Sequence, residues 1–433
     1  MGQSLLNSNL KKLAVPINGI QDFSTLIDNI KDKKIVMLGE SSHGTSEYYE
    51  WRSKISQELI EKHGFNFIAV EGDWPACEQV NSAIQNQQNV DPLETLSHFS
   101  RWPTWMWANV ETINLMAWMS EWNQQLKTQN KIGFHGLDVY SLYESIGEIK
   151  KTLVKANPRL LETVNEFYAC FEPYKHNEKA YVKSLFDYPE GCAQEASEAL
   201  ETLLHQKLKK DNKYFDIVQN AKIIRNAERY YRAMISGEDS WNIRDHHMMD
   251  TLERLHKFYG PEAKGIVWAH NTHIGDYRAT DMLMYNQVNL GGLARKKYGD
   301  KNIALIGFGT YQGTVIASTG WDGKTEVLNI PPAQEGSLEA HLHRAVPFID
   351  SKNFYINLSD INNEELFKDY LGHRAIGVVY HPTFESRGNY VPTILSKRYD
   401  AFIFLDHTSA LTPLNIKFDQ SKIPDTFPSD ILV

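Results

Sequence analysis

An α/β fold, with a mainly parallel sheet flanked by helices and a helical insertion packed over the C-terminal edge of that sheet, follows from three features of the 433-residue sequence. Short β-rich apolar runs recur along the chain and are mostly continuous rather than alternating. Helical patterns separate many of them. One long stretch, from about 141 to 260, carries no convincing strand at all. A strand covered on both faces has no solvent side, so it loses the period-two polarity of an antiparallel edge.

The first run is KKIVMLGE (33–40). Tyr48, Trp51, Ile55 and Leu59 follow at helical spacing, Thr45 or Ser46 can cap that helix, and Lys62-His63-Gly64 ends it. FNFIAVEG (65–72) then reads as a second strand and KIGFHGLD (131–138) as a third. Strand, helix, strand in this order is the grammar of a layered α/β domain. The insertion is rich in Glu, Lys, Leu and Ala, as in PRLLETVNEFYACFEPY and EASEALETLLHQKLKK. Strands resume with KGIVWAHN (264–271), NIALIGFGT (302–310), AIGVVYH (375–381) and YDAFIFLDH (399–407). The division expected is therefore 1–140 as the first part of the α/β core, 141–260 as the insertion, and 261–433 as the second part of the core.

Composition narrows the function. The chain holds 45 basic and 54 acidic residues, a balance of −9, which argues against nucleic acid and anionic membranes as partners. Three cysteines (Cys77, Cys170, Cys192) show no regular spacing, so neither a disulfide framework nor a thiolate metal site is expected, and a reducing compartment fits. The N-terminal MGQSLLNSNLKKLAV lacks the apolar core of a signal peptide, and no run approaches the roughly 18 apolar residues of a membrane helix. A cytoplasmic protein is the expectation.

Ligands of open α/β sheets bind beyond the carboxyl ends of the strands. Those ends are populated here by ionisable side chains: Glu40 with His43 just beyond, Glu71, Asp138, His270 with His273, His381, and Asp406 with His407. Parallel strands bring such groups to one rim. Three chemistries could use it. Nucleophilic serine catalysis would rest on Ser41 or Ser42, but the G-x-S-x-G elbow is missing its second glycine, where His43 stands. A metal site could draw on Glu40, His43, Glu71, His270 and His273. Metal-free acid–base chemistry would use an imidazole oriented by a carboxylate, with an arginine to neutralise a developing oxyanion. Residue types alone do not separate the last two.

The stretches LGESSHGTSEYYEWR, VEGDWPACEQVN, RWPTWMWANVE, WAHNTHIGD and GFGTYQGTV, in this order from residue 38 to about 314, resemble the erythromycin esterase family. The resemblance implies hydrolysis of a macrolide lactone, or a related cyclic ester, by metal-independent activation of water, with no cofactor. Carried over, His43 is the general base, Glu40 its neighbour, Glu71 the group that orients the histidine or the water, and Arg52 and His270 complete the catalytic set. His273 matches the second histidine of its motif and is assigned to substrate binding. Trp74, Trp102, Trp105 and Trp107 read either as core or as an apolar wall for a bulky ligand, over which the insertion closes. A metal-dependent hydrolase using the same Glu/His cluster and a non-catalytic small-molecule binder remain the alternatives. Arg244 and Asp245, after Trp241, read as a structural charge pair.

Overall fold

The computed structural model describes residues 10–85, 91–206, 212–358 and 367–426. Its centre is a nine-stranded sheet. Six strands run parallel in the spatial order β4 (Gly133–Gly136), β3 (Phe67–Val70), β5 (Gly265–Trp268), β2 (Ile35–Leu38), β6 (Ile303–Ala317) and β11 (Ala401–Thr408). Beyond β11 the sheet turns antiparallel with β8 (Asn353–Asn357) and β1 (Ala14–Pro16), and β7 (Glu326–Ile330) pairs antiparallel with the far half of β6. A separate ribbon joins β9 (Leu371–Arg374) to β10 (Tyr390–Thr393). The mainly parallel sheet expected from the sequence is thus present. No described helix is long and apolar enough to cross a membrane.

Both faces of the parallel strands are dry, which is why their sequences are continuously apolar. Val36, Leu38, Ile68 and Val70 point into one core layer, while Ile35, Met37, Phe67 and Ala69 point into the other. Between β4 and β5 the described chain is helical, from the Leu142–Ala156 helix to the long Asn212–Ser236 and Ser240–Tyr259 helices. These helices carry a third apolar cluster of their own, around Ile149, Leu200, Ala221 and Tyr230.

Two expectations are corrected. AIGVVYH (375–381) is not a strand. The amide of Ile376 donates to the Ser41 carbonyl at 2.8 Å, and Val378 and Tyr380 exchange bonds with Ser318 at 3.0 and 2.8 Å. The run is apolar because it is buried, but its backbone bonds go to two loops instead of one ladder. Cys170 and Cys192 do form a disulfide, with Cα atoms 6.1 Å apart, leaving Cys77 free. Sequence spacing had no bearing on this pair, because helix packing in the insertion brings its two cysteines together.

The segment after β11 lies as a strap across the molecule without joining the sheet. Its Leu411 amide donates to the Gly44 carbonyl at 3.0 Å, Ile423 donates to Glu178 of the insertion at 2.8 Å, and Asp425 to the Trp102 carbonyl at 2.7 Å. Gly44 is also approached from β6. A Cβ built on it would lie 1.9 Å from the Ile316 carbonyl oxygen, a backbone atom of a central strand. Gly44→Ala therefore overpacks a site that cannot yield, and should lower unfolding free energy by about 1–3 kcal/mol, read from denaturant melts. An unchanged midpoint would contradict the close approach.

Candidate active site

The rim is assembled by strand order. β5 lies between β2 and β3, so the loop after β5 is flanked by the loops that follow the other two. β2 delivers Glu40 and His43, β3 delivers Glu71, and β5 delivers His270 and His273. Backbone bonds lock the three loops: the Asn271 amide donates to the Glu40 carbonyl at 2.8 Å, and the His270 amide donates to Glu71 Oε2 at 2.8 Å.

His43 Nδ1 lies 3.0 Å from Glu40 Oε1. In the neutral ring this pairing puts the proton on Nδ1, facing the carboxylate, and leaves Nε2 as the basic nitrogen. The other Glu40 oxygen accepts from Arg52 Nη2 at 2.7 Å. Arg52 sits on the buried face of the Ser46–His63 helix, with its guanidinium 4.4 Å from the Tyr49 ring and 4.8 Å from the Trp268 ring. Those faces offer a buried cation favourable contact where water is absent. Thr45 is the cap residue of that helix, but its hydroxyl pairs with Ser42 instead of a helix amide. Ser41 is tied to the Tyr48 hydroxyl at 2.6 Å. Both serines hold the loop.

The His270 ring stands 4.9 Å from that of His43, centroid to centroid. Its Nδ1 accepts from the Thr272 amide at 3.3 Å and contacts the Thr272 hydroxyl at 2.8 Å. The proton of the neutral ring is therefore on Nε2, a buried atom turned towards the Ser41 carbonyl. Burial, reinforced by the nearby His43, holds the His270 pKa well below its ordinary value, so the ring stays neutral and Nε2–H is a hydrogen-bond donor.

A second layer reaches the rim from the insertion. Arg244, on the Ser240–Tyr259 helix, donates from Nη2 to Glu71 Oε1 at 2.6 Å and clamps Asp138 with two bonds, at 2.9 and 2.7 Å. Burial alone would raise the Glu71 carboxyl, but His273 and Arg244 outweigh it and hold it well below the usual carboxylate range. The next residue, Asp245, holds His273 Nδ1 at 2.9 Å, and Trp241 stacks on the same imidazole at 4.5 Å with planes 6° apart. Burial pushes Asp245 upward, yet both its oxygens face donors, His273 Nδ1 and the Leu290 amide, as an ionised carboxylate requires. Two partners compete at His273 Nε2: Arg244 Nη1 at 3.0 Å, which suits a neutral ring, and Glu71 Oε1 at 3.3 Å, which suits the cation. Burial again opposes the charge, but Asp245 and Glu71 together prevail and raise His273 from 6.5 to about 9. The cation is favoured because two carboxylates flank the ring against one guanidinium.

The structure thus gathers Glu40, His43, Arg52, Glu71, His270 and His273. The tryptophans are buried. Trp74 donates to Asp216 at 2.8 Å and stacks on His135, Trp102 donates to the Gly323 carbonyl at 3.0 Å, and Trp105 is core. Trp107 donates to the Glu71 carbonyl at 2.9 Å and so braces the rim itself. It also lines a cavity of about 190 Å³ with Asp73, Phe99, Arg101, Glu144 and Asp425. That cavity begins two residues beyond Glu71 and does not include the His43–His270 pair. Arg244 and Asp245, the structural charge pair of the sequence, bond directly to the rim residues Glu71 and His273. Their signal was present: Trp241, Arg244, Asp245, Met248, Leu252 and Leu255 form one helical face, so the charges occupy core positions.

The donors that a metal would take are already engaged, Glu40 by Arg52 and His43, Glu71 by Arg244. Among the described residues no group of three or more His, Cys, Asp or Glu side chains is arranged to hold an ion.

Fold and rim together define an α/β protein with a buried cluster of imidazoles, carboxylates and guanidinium groups at the carboxyl edge of its sheet. The chain belongs to the erythromycin esterase family, whose model, described as erythromycin esterase, matches residues 60–408. It is accordingly an ester hydrolase with a small-molecule substrate. It is 24% identical over 414 residues to the Bacillus subtilis (strain 168) protein YbfO, named as a hydrolase, covering 89% of this chain and 86% of that one. It is likewise 24% identical over 357 residues to an Escherichia coli erythromycin esterase type II, covering 76% and 82%. Among solved structures, one described as a succinoglycan biosynthesis protein superposes with a TM-score of 0.78 at 23% identity, over 95% of this chain and 98% of that one. An erythromycin esterase mutant in its open conformation superposes with a TM-score of 0.66 at 16% identity, over 92% and 96%. These two likenesses concern the fold.

The His273 environment makes a signed prediction. A histidine raised on folding contributes stability that is complete below its unfolded value, near 6.5, and lost as pH rises through about 9. Asp245→Asn removes the larger favourable charge. The gap in thermal midpoint between wild type and this variant should therefore narrow from about pH 7 to about pH 10. A constant gap would show that His273 does not titrate there.

Proposed function

We propose that this protein opens a macrolide lactone, or a related cyclic ester, by metal-independent attack of water activated by His43. The observation that carries the reading is the His43–His270 pair: one imidazole oriented as a base by Glu40, the other neutral, with its ring 4.9 Å away and Nε2–H as a hydrogen-bond donor. Water attacks the ester carbonyl carbon and its proton passes to His43 Nε2. The oxyanion that forms is stabilised by the His270 donor. Collapse breaks the carbonyl–oxygen bond of the ring, and His43 returns its proton to the departing alkoxide, giving a hydroxy acid. Glu40, itself paired with Arg52, stabilises the imidazolium in between.

His43 and His270 are 1% and 4% exposed. A bulky lactone therefore reaches them only after a covering element moves. One solved relative is described as being in an open conformation, and an equivalent opening here would admit the ring. The wall of tryptophans expected from the sequence is reduced to a supporting role in this reading, with Trp107 holding Glu71. A cytoplasmic site of action fits a substrate that must first enter the cell.

The test is mass spectrometry of macrolides of several ring sizes after incubation with the protein. The expected product carries one added water, and with isotopic water a single turnover places one label in the new carboxylate. His43→Ala should reduce turnover by about 10²-fold or more with the fold intact, and chelators should leave activity unchanged. Activity lost with a stoichiometric metal would favour the metal-dependent alternative. Tight binding with no change in ligand mass would favour a binding protein, and an acyl adduct on Ser41 or Ser42 would replace water attack by serine chemistry.

A further inference from the structure

Behind the rim lies a further histidine–carboxylate pair that the mechanism above does not use. His373, in β9, is fully buried, and its Nδ1 lies 2.6 Å from Glu339 Oε1, an oxygen that also accepts the Arg374 amide at 3.0 Å. Its Nε2 lies 3.1 Å from Nδ2 of Asn271, the residue that follows His270. The ring is held edge-on to Tyr399 and Phe402, with centroids 6.0 and 5.3 Å away. Asn271 is the hinge of the site. Its side-chain amide bonds both the carbonyl and the amide of Phe308 in β6, at 2.7 and 3.3 Å, while its backbone amide holds the Glu40 carbonyl at 2.8 Å. A Cβ on Gly39 would strike Asn271 Oδ1 at 2.1 Å, so the carboxamide fills the space beside the catalytic loop.

The geometry points to His373 as a positioning residue for the esterase centre: with its proton held on Nδ1 by Glu339, its Nε2 lone pair fixes the Asn271 carboxamide and thereby the separation of the Glu40–His43 loop from His270. The inference rests on the catalytic reading above for its effect on turnover, but the arrangement stands apart from it. A neutral ring is required, because a proton on Nε2 would face the Asn271 N–H. Burial, which outweighs Glu339, holds the His373 pKa below its ordinary value and supports that state. Both hydrogens of the Asn271 amide are then used, one on Phe308 and one on His373, so the carboxamide has a single orientation.

The experiment compares His373→Leu, which removes the acceptor, with His373→Gln, whose carbonyl can replace Nε2. Erythromycin serves as the kinetic probe and ¹⁵N-histidine NMR reports the rings without substrate. Displacement of reacting groups by about 1 Å can cost on the order of 10²-fold. His373→Leu should therefore lose kcat approaching about 100-fold, with KM within about twofold, and His373→Gln should recover most of it. The His270 resonances should move in the leucine variant and stay in place in the glutamine variant, and wild-type His373 should carry its proton on Nδ1. Equal losses in the two variants, His270 resonances unmoved by leucine, or a proton on His373 Nε2 would each overturn the proposal. Should His373→Leu fail to fold, Glu339→Leu removes the acceptor that holds the tautomer; the Nε2-protonated form should then appear and the His270 resonances shift, and their constancy would overturn the role. A wild type inert towards erythromycin would overturn the esterase reading alone, leaving the resonance comparison to decide the role of His373.

Discussion

Everything in the site depends on β5 being threaded between β2 and β3. The three strands are not consecutive in the chain: β2 and β3 are neighbours in sequence, and β5 arrives only after the whole insertion. By separating the two earlier strands, β5 places its own terminal histidines between one loop that carries Glu40 and His43 and another that carries Glu71. The Asn271–Glu40 and His270–Glu71 backbone bonds are the direct expression of that order. Each loop is thus located by a neighbour instead of by its own turn, and the imidazoles keep their spacing without relying on flexible connections.

The same order gives the insertion a task beyond covering the sheet. Its last helix runs directly into β5 and turns Arg244 and Asp245 inwards, where they neutralise Glu71 and hold His273. A carboxylate and a histidine that would be costly to bury alone are stabilised by partners supplied from the insertion. Trp241 adds a flat surface for His273. The insertion and the rim therefore share one buried electrostatic network, and moving the Ser240–Tyr259 helix would unsettle the ionisation of Glu71 and His273 together.

Much of this was legible in the sequence, for physical reasons. Strands buried on both faces are written as continuous apolar runs, and the ionisable residues ending them stand out because nothing polar precedes them. Glu40, His43, Glu71 and His270 were visible in this way, and Arg52 by its nearness to the motif. The run at 375–381 shows the limit of that signal: burial makes a segment apolar whether or not it joins a ladder. Arg244 and Asp245 were read as a structural charge pair, and their register with Trp241, Met248 and Leu252 marks them as internal. Glu339 and His373 carried no local signal, since their meaning comes entirely from which strand they lie behind. The cysteine bridge was illegible for the same reason.

The strap after β11 has a consequence for how the protein comes into being. Gly44, beside the base, is synthesised early, but its carbonyl receives the Leu411 amide from a part of the chain made hundreds of residues later, and Glu178 of the insertion waits for Ile423. A nascent chain that has completed the sheet up to β6 already holds Glu40, His43, Glu71, His270 and His273, yet lacks the two bonds by which the strap fastens the Gly44 loop and the insertion. The strap therefore acts as a closing stitch, made after the groups it fastens.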